Sequence, residues 1–125
     1  MRHDGLTKLI LQACFEVSNE LGSGFVESVY EKALLIALRD LGLEARAQVP
    51  LKVNFRTKVV GDFYADIMVN NSVLLELKAV KKLLPEHFAQ ILNYLKACEI
   101  EVGLLVNFGN PRLEYRRFNN YSEAL

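Results

Sequence analysis

The strongest constraint on the fold is a pair of alternating apolar segments, residues 63–69 and 73–79, separated by the polar residues 70–72. Side chains alternate between the two faces of a β-strand, and directly opposed residues of a hairpin share a face. The two apolar sets meet on one face only if Val69 lies opposite Val73. The pattern therefore predicts an antiparallel hairpin with a three-residue connection, in which asparagine suits a left-handed backbone position.

The same register places Asp66 opposite Glu76 and Tyr64 opposite Lys78. Facing carboxylates repel each other unless a proton or a cation lies between them. Carboxylate oxygens around an open position suit Mg²⁺ or Mn²⁺, which keep water ligands and contact substrate phosphates. Two interpretations remain open at this point: a solvated sheet face with an ion pair between Glu76 and Lys78, or a metal site. The apolar neighbours of Glu76 argue against an ordinary wet strand edge.

Apolar residues recur at helical spacing in three segments and follow strand patterns in four or five others. The first expected helix ends at Gly22, the second spans about Val26–Leu41, and the third begins at Pro85. The expected strands lie near residues 49–53, 59–69, 73–80, 102–106 and 113–118. Because the segment 102–106 is wholly apolar, we expect a strand buried on both faces and reached by a helical crossover. The order predicts an α/β fold in which helices flank a mixed central sheet, with one domain over residues 1–125.

Charge and cysteine content limit the function classes. The chain has 15 basic and 15 acidic residues and a formal net charge of zero, which argues against a protein coated by nucleic acid through bulk electrostatics. Cys14 and Cys98 lie in apolar helical patterns without metal-binding spacing, so we expect buried thiols in a reducing cytosol. No secretory signal or membrane span is predicted, and the expected location is cytoplasmic, with no membrane partner.

Five polar residues occur in a fixed order along the predicted elements. They are Glu27 on the second helix, Asp66 and the Glu76-Leu77-Lys78 segment on the hairpin, and Gln90 on the third helix. This ordered set, on an α-α-β-β-β-α-β framework, resembles the PD-(D/E)XK nuclease superfamily with its restriction-endonuclease-like core. Ala65 stands where the superfamily name has Pro, and the adjacent Asp is kept.

A second resemblance is narrower. Gly24, Glu27 and Tyr30 match the G-x-x-E-x-x-Y signature of the small bacterial GxxExxY protein family. Members of that family often carry His and Pro where this chain has Ser18 and Ser23. The exchange puts a role for that His in doubt but leaves the implied metal ligands intact.

The resemblance implies phosphodiester hydrolysis of nucleic acid with Mg²⁺ or Mn²⁺ as cofactor. The implied metal ligands are Asp66, Glu76 and Glu27, and the implied catalytic set adds Lys78, which would neutralise charge on the phosphate. For Glu27 the alternatives are a direct ligand, a residue that holds a metal-bound water, or a first-turn carboxylate stabilised by the helix dipole.

The implied substrate contacts are Gln90, Tyr94 and Tyr30. Gln90 and Tyr94 share one stripe of the third helix, where Tyr94 would either stack on a base or roof the sheet. His87 and His3 are interpreted as ordinary surface residues.

Other function classes remain open alongside this one. The fold would also serve a nuclease-like binding or regulatory module without turnover, although intact Glu27, Asp66, Glu76 and Lys78 argue against decay of the site. A structural oligomer is a third interpretation, based on high apolar content. The nucleic acid is left as DNA or RNA, and a homodimer or a partner protein is an open expectation.

Overall fold

The fold is taken from a computed structural model, in which residues 1–121 are described. Its elements are α1 (Asp4–Leu21), α2 (Glu27–Asp40), β1 (Ala45–Phe55), β2 (Lys58–Val69), β3 (Val73–Lys78), α3 (Pro85–Cys98), β4 (Val102–Asn107) and β5 (Glu114–Asn119). The predicted α/β class and element order are confirmed, including the last strand. Residues 122–125, the end of the expected domain, lie outside the described residues.

The five strands form one mixed sheet in the order β1-β2-β3-β4-β5. Neighbouring strands are antiparallel except for β3 and β4, which run parallel. Two parallel strands need a crossover connection, and α3 provides it. The expected buried strand after a helical crossover is therefore confirmed.

The predicted hairpin register is confirmed at its closed end, where Val69 pairs with Val73. Asn70 and Asn71 adopt the left-handed conformation, with φ of 50° and 52°. The ladder ends two residues further on, at the pair of Ile67 and Leu75. Beyond that pair β2 and β3 separate, so the expected opposition of Tyr64 and Lys78 is not formed.

Helices cover both faces of the sheet. Ile10 of α1 and Leu34 of α2 pack with Leu75 of β3 on one face, whereas Ile91 of α3 packs with Leu74 on the other. Burying a side chain of this size contributes about 1.5–3 kcal/mol. The two cores hold β3 between the helices, and alternation then directs Glu76 to the side of Leu74 and α3.

Two expectations about β2 need correction. The predicted single apolar face divides at Asp66, because Ile67 joins the core under α1 and α2 while Ala65 joins the core under α3. Phe63 is 41% exposed rather than inward. At Phe63 the strand pairs with Leu51 of β1 but has passed the end of β3, so one side of the ring lacks a covering strand.

Both cysteines are free thiols, as expected. Cys14 is fully buried, and burial raises the pKa of its thiol to about 12. Cys98 is only partly buried, because it occupies the last turn of α3. Among the described residues, no helix combines the length and apolar character that a membrane crossing requires.

Candidate active site

The site begins where β2 and β3 separate. The Asp66 carboxylate accepts a hydrogen bond through Oδ2 from the backbone N–H of Leu77 at 2.7 Å, and Glu76 Oε2 accepts one from the backbone N–H of Asp66 at 3.3 Å. These bonds replace ladder hydrogen bonds and satisfy backbone donors that would otherwise be buried without partners. The expected association of Asp66 with Glu76 thus arises through side chains rather than through strand pairing.

Glu76 is the more buried member of this pair, with 4% of its surface exposed. Burial, together with the hydrogen bond and the negative charge of Asp66, raises the pKa of Glu76 from 4.5 to about 9. Two like charges this close are unfavourable in a desolvated site, so the pair retains a proton at neutral pH when no cation is bound. A cation between the two carboxylates would relieve the same repulsion.

The backbone around Asp66 is irregular. The β1–β2 register pairs Ala47 with Ile67 and Val49 with Ala65, and it has no pair between Gln48 and Asp66. Gln48 has a φ of 52°, which is unusual for a residue other than glycine. Such conformations occur where the surrounding structure enforces them and are concentrated at functional sites.

A cavity of about 220 Å³ opens between α2 and the separated strands. Its wall consists of Glu27, Ser28, Glu31, Gln48, Asp66 and Leu77. Glu27, in the first turn of α2, lies exposed at its rim. Partial desolvation raises the pKa of Glu27; the charge of Lys78 opposes this shift, and the charge of Asp66 adds to it. The three side chains therefore lie within electrostatic reach of one another.

The donor set fits a hard divalent cation with an incomplete protein shell. Within residues 1–121 no group of three or more His, Cys, Asp or Glu side chains is arranged to hold a metal ion. The structure thus brings Asp66 and Glu76 together and leaves Glu27 at the rim. Two carboxylates with the remaining positions open to water and phosphate match the coordination that Mg²⁺ prefers.

Lys78 ends β3 beside the carboxylates and is partly exposed. Burial raises the pKa of both Glu76 and Glu27, and the charge of Lys78 opposes both shifts. Across residues 1–121, none of the ion pairs includes Lys78, so its ammonium is not engaged by Glu76. This arrangement differs from the simple ion pair that the sequence left open.

The family model of the PD-(D/E)XK nuclease superfamily matches residues 4–118 of this chain. The chain belongs to the PD-(D/E)XK nuclease superfamily. Among solved structures, the crystal structure of SSO0001 is similar with a TM-score of 0.58 and 22% identity over 98% of this chain, a likeness that shows the fold alone. The aligned part spans 61% of the SSO0001 chain. No curated protein matches this sequence.

Two of the expected substrate contacts of this PD-(D/E)XK chain lie together on α3. The exposed Gln90 donates a hydrogen bond from Nε2 to the hydroxyl of Tyr94 at 3.2 Å. Tyr94 is nearly buried, and desolvation together with the charges of Glu76 and Asp66 raises its pKa. Tyr94 therefore lies on the sheet face to which Glu76 is directed, and Gln90 is bonded to it there.

Tyr30 occupies a different environment from the expected substrate contact. It is fully buried and stacks on Phe108 with ring centroids 4.7 Å apart. Its hydroxyl donates to the carbonyl of Gly22 at 2.7 Å and accepts from the N–H of Phe25 at 3.2 Å. Through these hydrogen bonds Tyr30 stabilises the α1–α2 loop and the start of α2, where Glu27 lies.

His87 has a local role. Its Nδ1 accepts a hydrogen bond from the backbone N–H of Leu84 at 3.0 Å and so caps the start of α3.

Residues that fix the backbone after Lys78 were missed in the sequence. Asn107 is fully buried and exchanges two hydrogen bonds with the backbone of Val80, at 2.8 and 3.0 Å. A Cβ on Gly109 would lie 2.1 Å from the Val80 carbonyl oxygen, so only glycine allows this approach. The available signal was a polar residue and a glycine directly after the apolar run of β4.

Proposed function

We propose that this chain is a divalent-metal-dependent phosphodiester hydrolase that acts on nucleic acid. The observation that carries the proposal is the pairing of Asp66 with Glu76 at the point where two central strands separate, where Glu76 accepts from the backbone of Asp66 and Asp66 accepts from the backbone of Leu77. Membership of a nuclease superfamily supports the same substrate class. We further propose, from Gly24, Glu27 and Tyr30, that it is a GxxExxY protein and that residues 1–125 form one domain.

Each side chain has a distinct proposed role. A Mg²⁺ or Mn²⁺ ion held by Asp66 and Glu76 would supply Lewis-acid stabilisation of the phosphate and a more acidic bound water. Lys78 places a positive charge where negative charge develops on the phosphate oxygens. Glu27 accepts a hydrogen bond from the attacking water at the cavity rim, and Gln90 contacts the phosphate from α3.

A binding or regulatory module without turnover is the second candidate. It is favoured by one observation: within residues 1–121 the acidic side chains do not assemble a group of three around one point. Both candidates predict nucleic-acid binding, and they differ in whether the bound strand is cut.

Cleavage assays on labelled single-stranded and duplex DNA and RNA separate the candidates. In Mn²⁺ we expect the wild type to cut at least one of these substrates and Asp66→Asn to lower the rate by about 100-fold or more, because the substitution removes a charged ligand. Asp62→Asn, an exposed position on the same strand, is the matched control and should retain the wild-type rate.

Equal rates for Asp66→Asn and Asp62→Asn would contradict the assignment of Asp66. Binding of a strand that the wild type never cuts, in either Mn²⁺ or Mg²⁺, would favour the module without turnover.

A further inference from the structure

A second and larger cavity lies on the other side of the site, between the β1–β2 hairpin and α3. Its volume is about 860 Å³, within the range of pockets that enclose a small ligand. Its wall includes Lys52, Phe63, Gln90, Asn93, Tyr94 and Lys96. We call this cavity the α3 groove.

Phe63 gives the groove a flat apolar surface. Its ring lies along the strand over Gly61, where an added Cβ would come within 3.1 Å of the ring. On the α3 side it contacts the ring of Tyr94, with centroids 5.4 Å apart and planes inclined by 41°. The ring is thus held by its neighbours while 41% of the residue stays exposed. An aromatic side chain fixed in this way suits stacking against a nucleobase.

Tyr94 connects the groove to the candidate active site. Its ring forms part of the groove wall, and its hydroxyl accepts a hydrogen bond from Gln90. Burial raises the pKa of that hydroxyl, and the charges of Glu76 and Asp66 add to the shift. Tyr94 packs in the same core as Leu74, on the sheet face to which Glu76 is directed, so a strand whose base occupies the groove would run along that face.

The charge of the groove wall favours single-stranded over duplex nucleic acid. Lys52 and Lys96 are balanced in its wall by Glu86 and Glu99. Phosphate attraction, which supplies most of the affinity of duplex binders, is consequently weak here. Stacking does not depend on net charge, but it requires a base whose face is not covered by pairing and neighbouring stacks.

We propose that the α3 groove binds an unpaired, single-stranded segment of nucleic acid, with one base stacked on Phe63. The proposal rests on the proposed function for the class of ligand and adds strandedness and the location of the strand. It also limits the salt dependence: with two lysines in contact, the slope of log affinity against log salt is no steeper than about −1.4.

Fluorescence anisotropy with a labelled thymidine oligonucleotide tests the proposal in EDTA, so that neither metal binding nor cleavage is needed. We expect Phe63→Ala to weaken single-strand binding by about tenfold or more. Phe55→Ala removes the same type of side chain, more exposed than Phe63, from the same hairpin but outside the groove, and should bind like the wild type. Melting curves of both variants establish that they are folded.

Two further probes complete the design. An abasic strand keeps the phosphates without the bases and should bind the wild type about as weakly as thymidine strands bind Phe63→Ala. Duplex binding as tight as single-strand binding, or equal affinities for Phe63→Ala and Phe55→Ala, would overturn the proposal.

The outcomes also separate this inference from the proposed function. If the protein cuts only duplex and Phe63→Ala cuts as fast as the wild type, the proposal for the α3 groove is wrong and the proposed hydrolase function stands. If the protein binds single strands through Phe63 but never cuts them, the proposal for the α3 groove stands and the proposed hydrolase function is wrong.

Discussion

Replacing Lys78 with methionine should lower the cleavage rate by about 100-fold or more while the folding free energy changes little. Methionine keeps most of the apolar stem and removes only the charge. The Lys78 ammonium takes no part in the ion pairs of residues 1–121, so its loss breaks no structural contact of that kind. Charge that develops on the phosphate would lose a fixed positive partner. Initial rates at saturating Mn²⁺ and urea midpoints of both proteins measure the two effects.

Lys8→Met provides the control for Lys78→Met, because Lys8 is an exposed lysine of α1 outside the candidate site. It should leave both the rate and the urea midpoint unchanged. A Lys78→Met protein with the wild-type rate and a lowered midpoint would show that Lys78 is a structural partner rather than a catalytic one.

The second large effect is expected from Glu76→Gln in the absence of divalent metal. Because the pKa of Glu76 is raised from 4.5 to about 9 by folding, the folded chain holds a proton that the unfolded chain releases. The stability this provides is complete below about pH 4.5 and is lost as the pH rises towards 9. Gln resembles the protonated form at every pH, so it should escape the loss. We expect its Tm at about pH 8 in EDTA to exceed that of the wild type by about 4 °C or more.

Two comparisons sharpen the Glu76→Gln experiment. Near pH 4.5 the Tm values of wild type and variant should converge, and at pH 8 added Mn²⁺ should stabilise the wild type only. Glu20→Gln, an exposed substitution on α1, should follow the wild type throughout. A Tm difference between wild type and Glu76→Gln that does not grow with pH would contradict the buried, proton-sharing pair.

The hairpin shows how far the sequence determines this site. Alternation of apolar residues was sufficient to predict that Val69 pairs with Val73, because a one-residue slip would have exposed a complete apolar face. The same register was sufficient to associate Asp66 with Glu76. Element order and the helical crossover followed from equally strong periodicity.

The separation of β2 from β3 could not be predicted in this way. Periodicity describes regular strands, whereas Gln48 adopts a left-handed conformation and Asp66 bonds to the backbone of Leu77 through its side chain. These interactions depend on three strands that meet only in the folded chain. Apolar alternation therefore locates the candidate site, but the backbone departs from regular strand geometry at Gln48 and Asp66.

The aromatic residues were misjudged for a related reason. Tyr30 shares a helix with Glu27, and spacing along that helix gave no indication that its hydroxyl bonds back to Gly22 in the preceding loop. Phe63 fits an inward position by parity, yet it is exposed because β3 ends before reaching it. Both outcomes depend on where neighbouring elements stop, which a local pattern does not contain.

The central claim is that Asp66 and Glu76 hold one divalent cation between them. The most direct measurement is the anomalous difference map of crystals soaked in Mn²⁺. We expect a peak bound by one oxygen from each carboxylate, at roughly 2.0–2.3 Å, with Lys78 nearby and the remaining positions occupied by water. A map with no peak there, in which Glu76 remains hydrogen-bonded to Asp66 at saturating Mn²⁺, would contradict it.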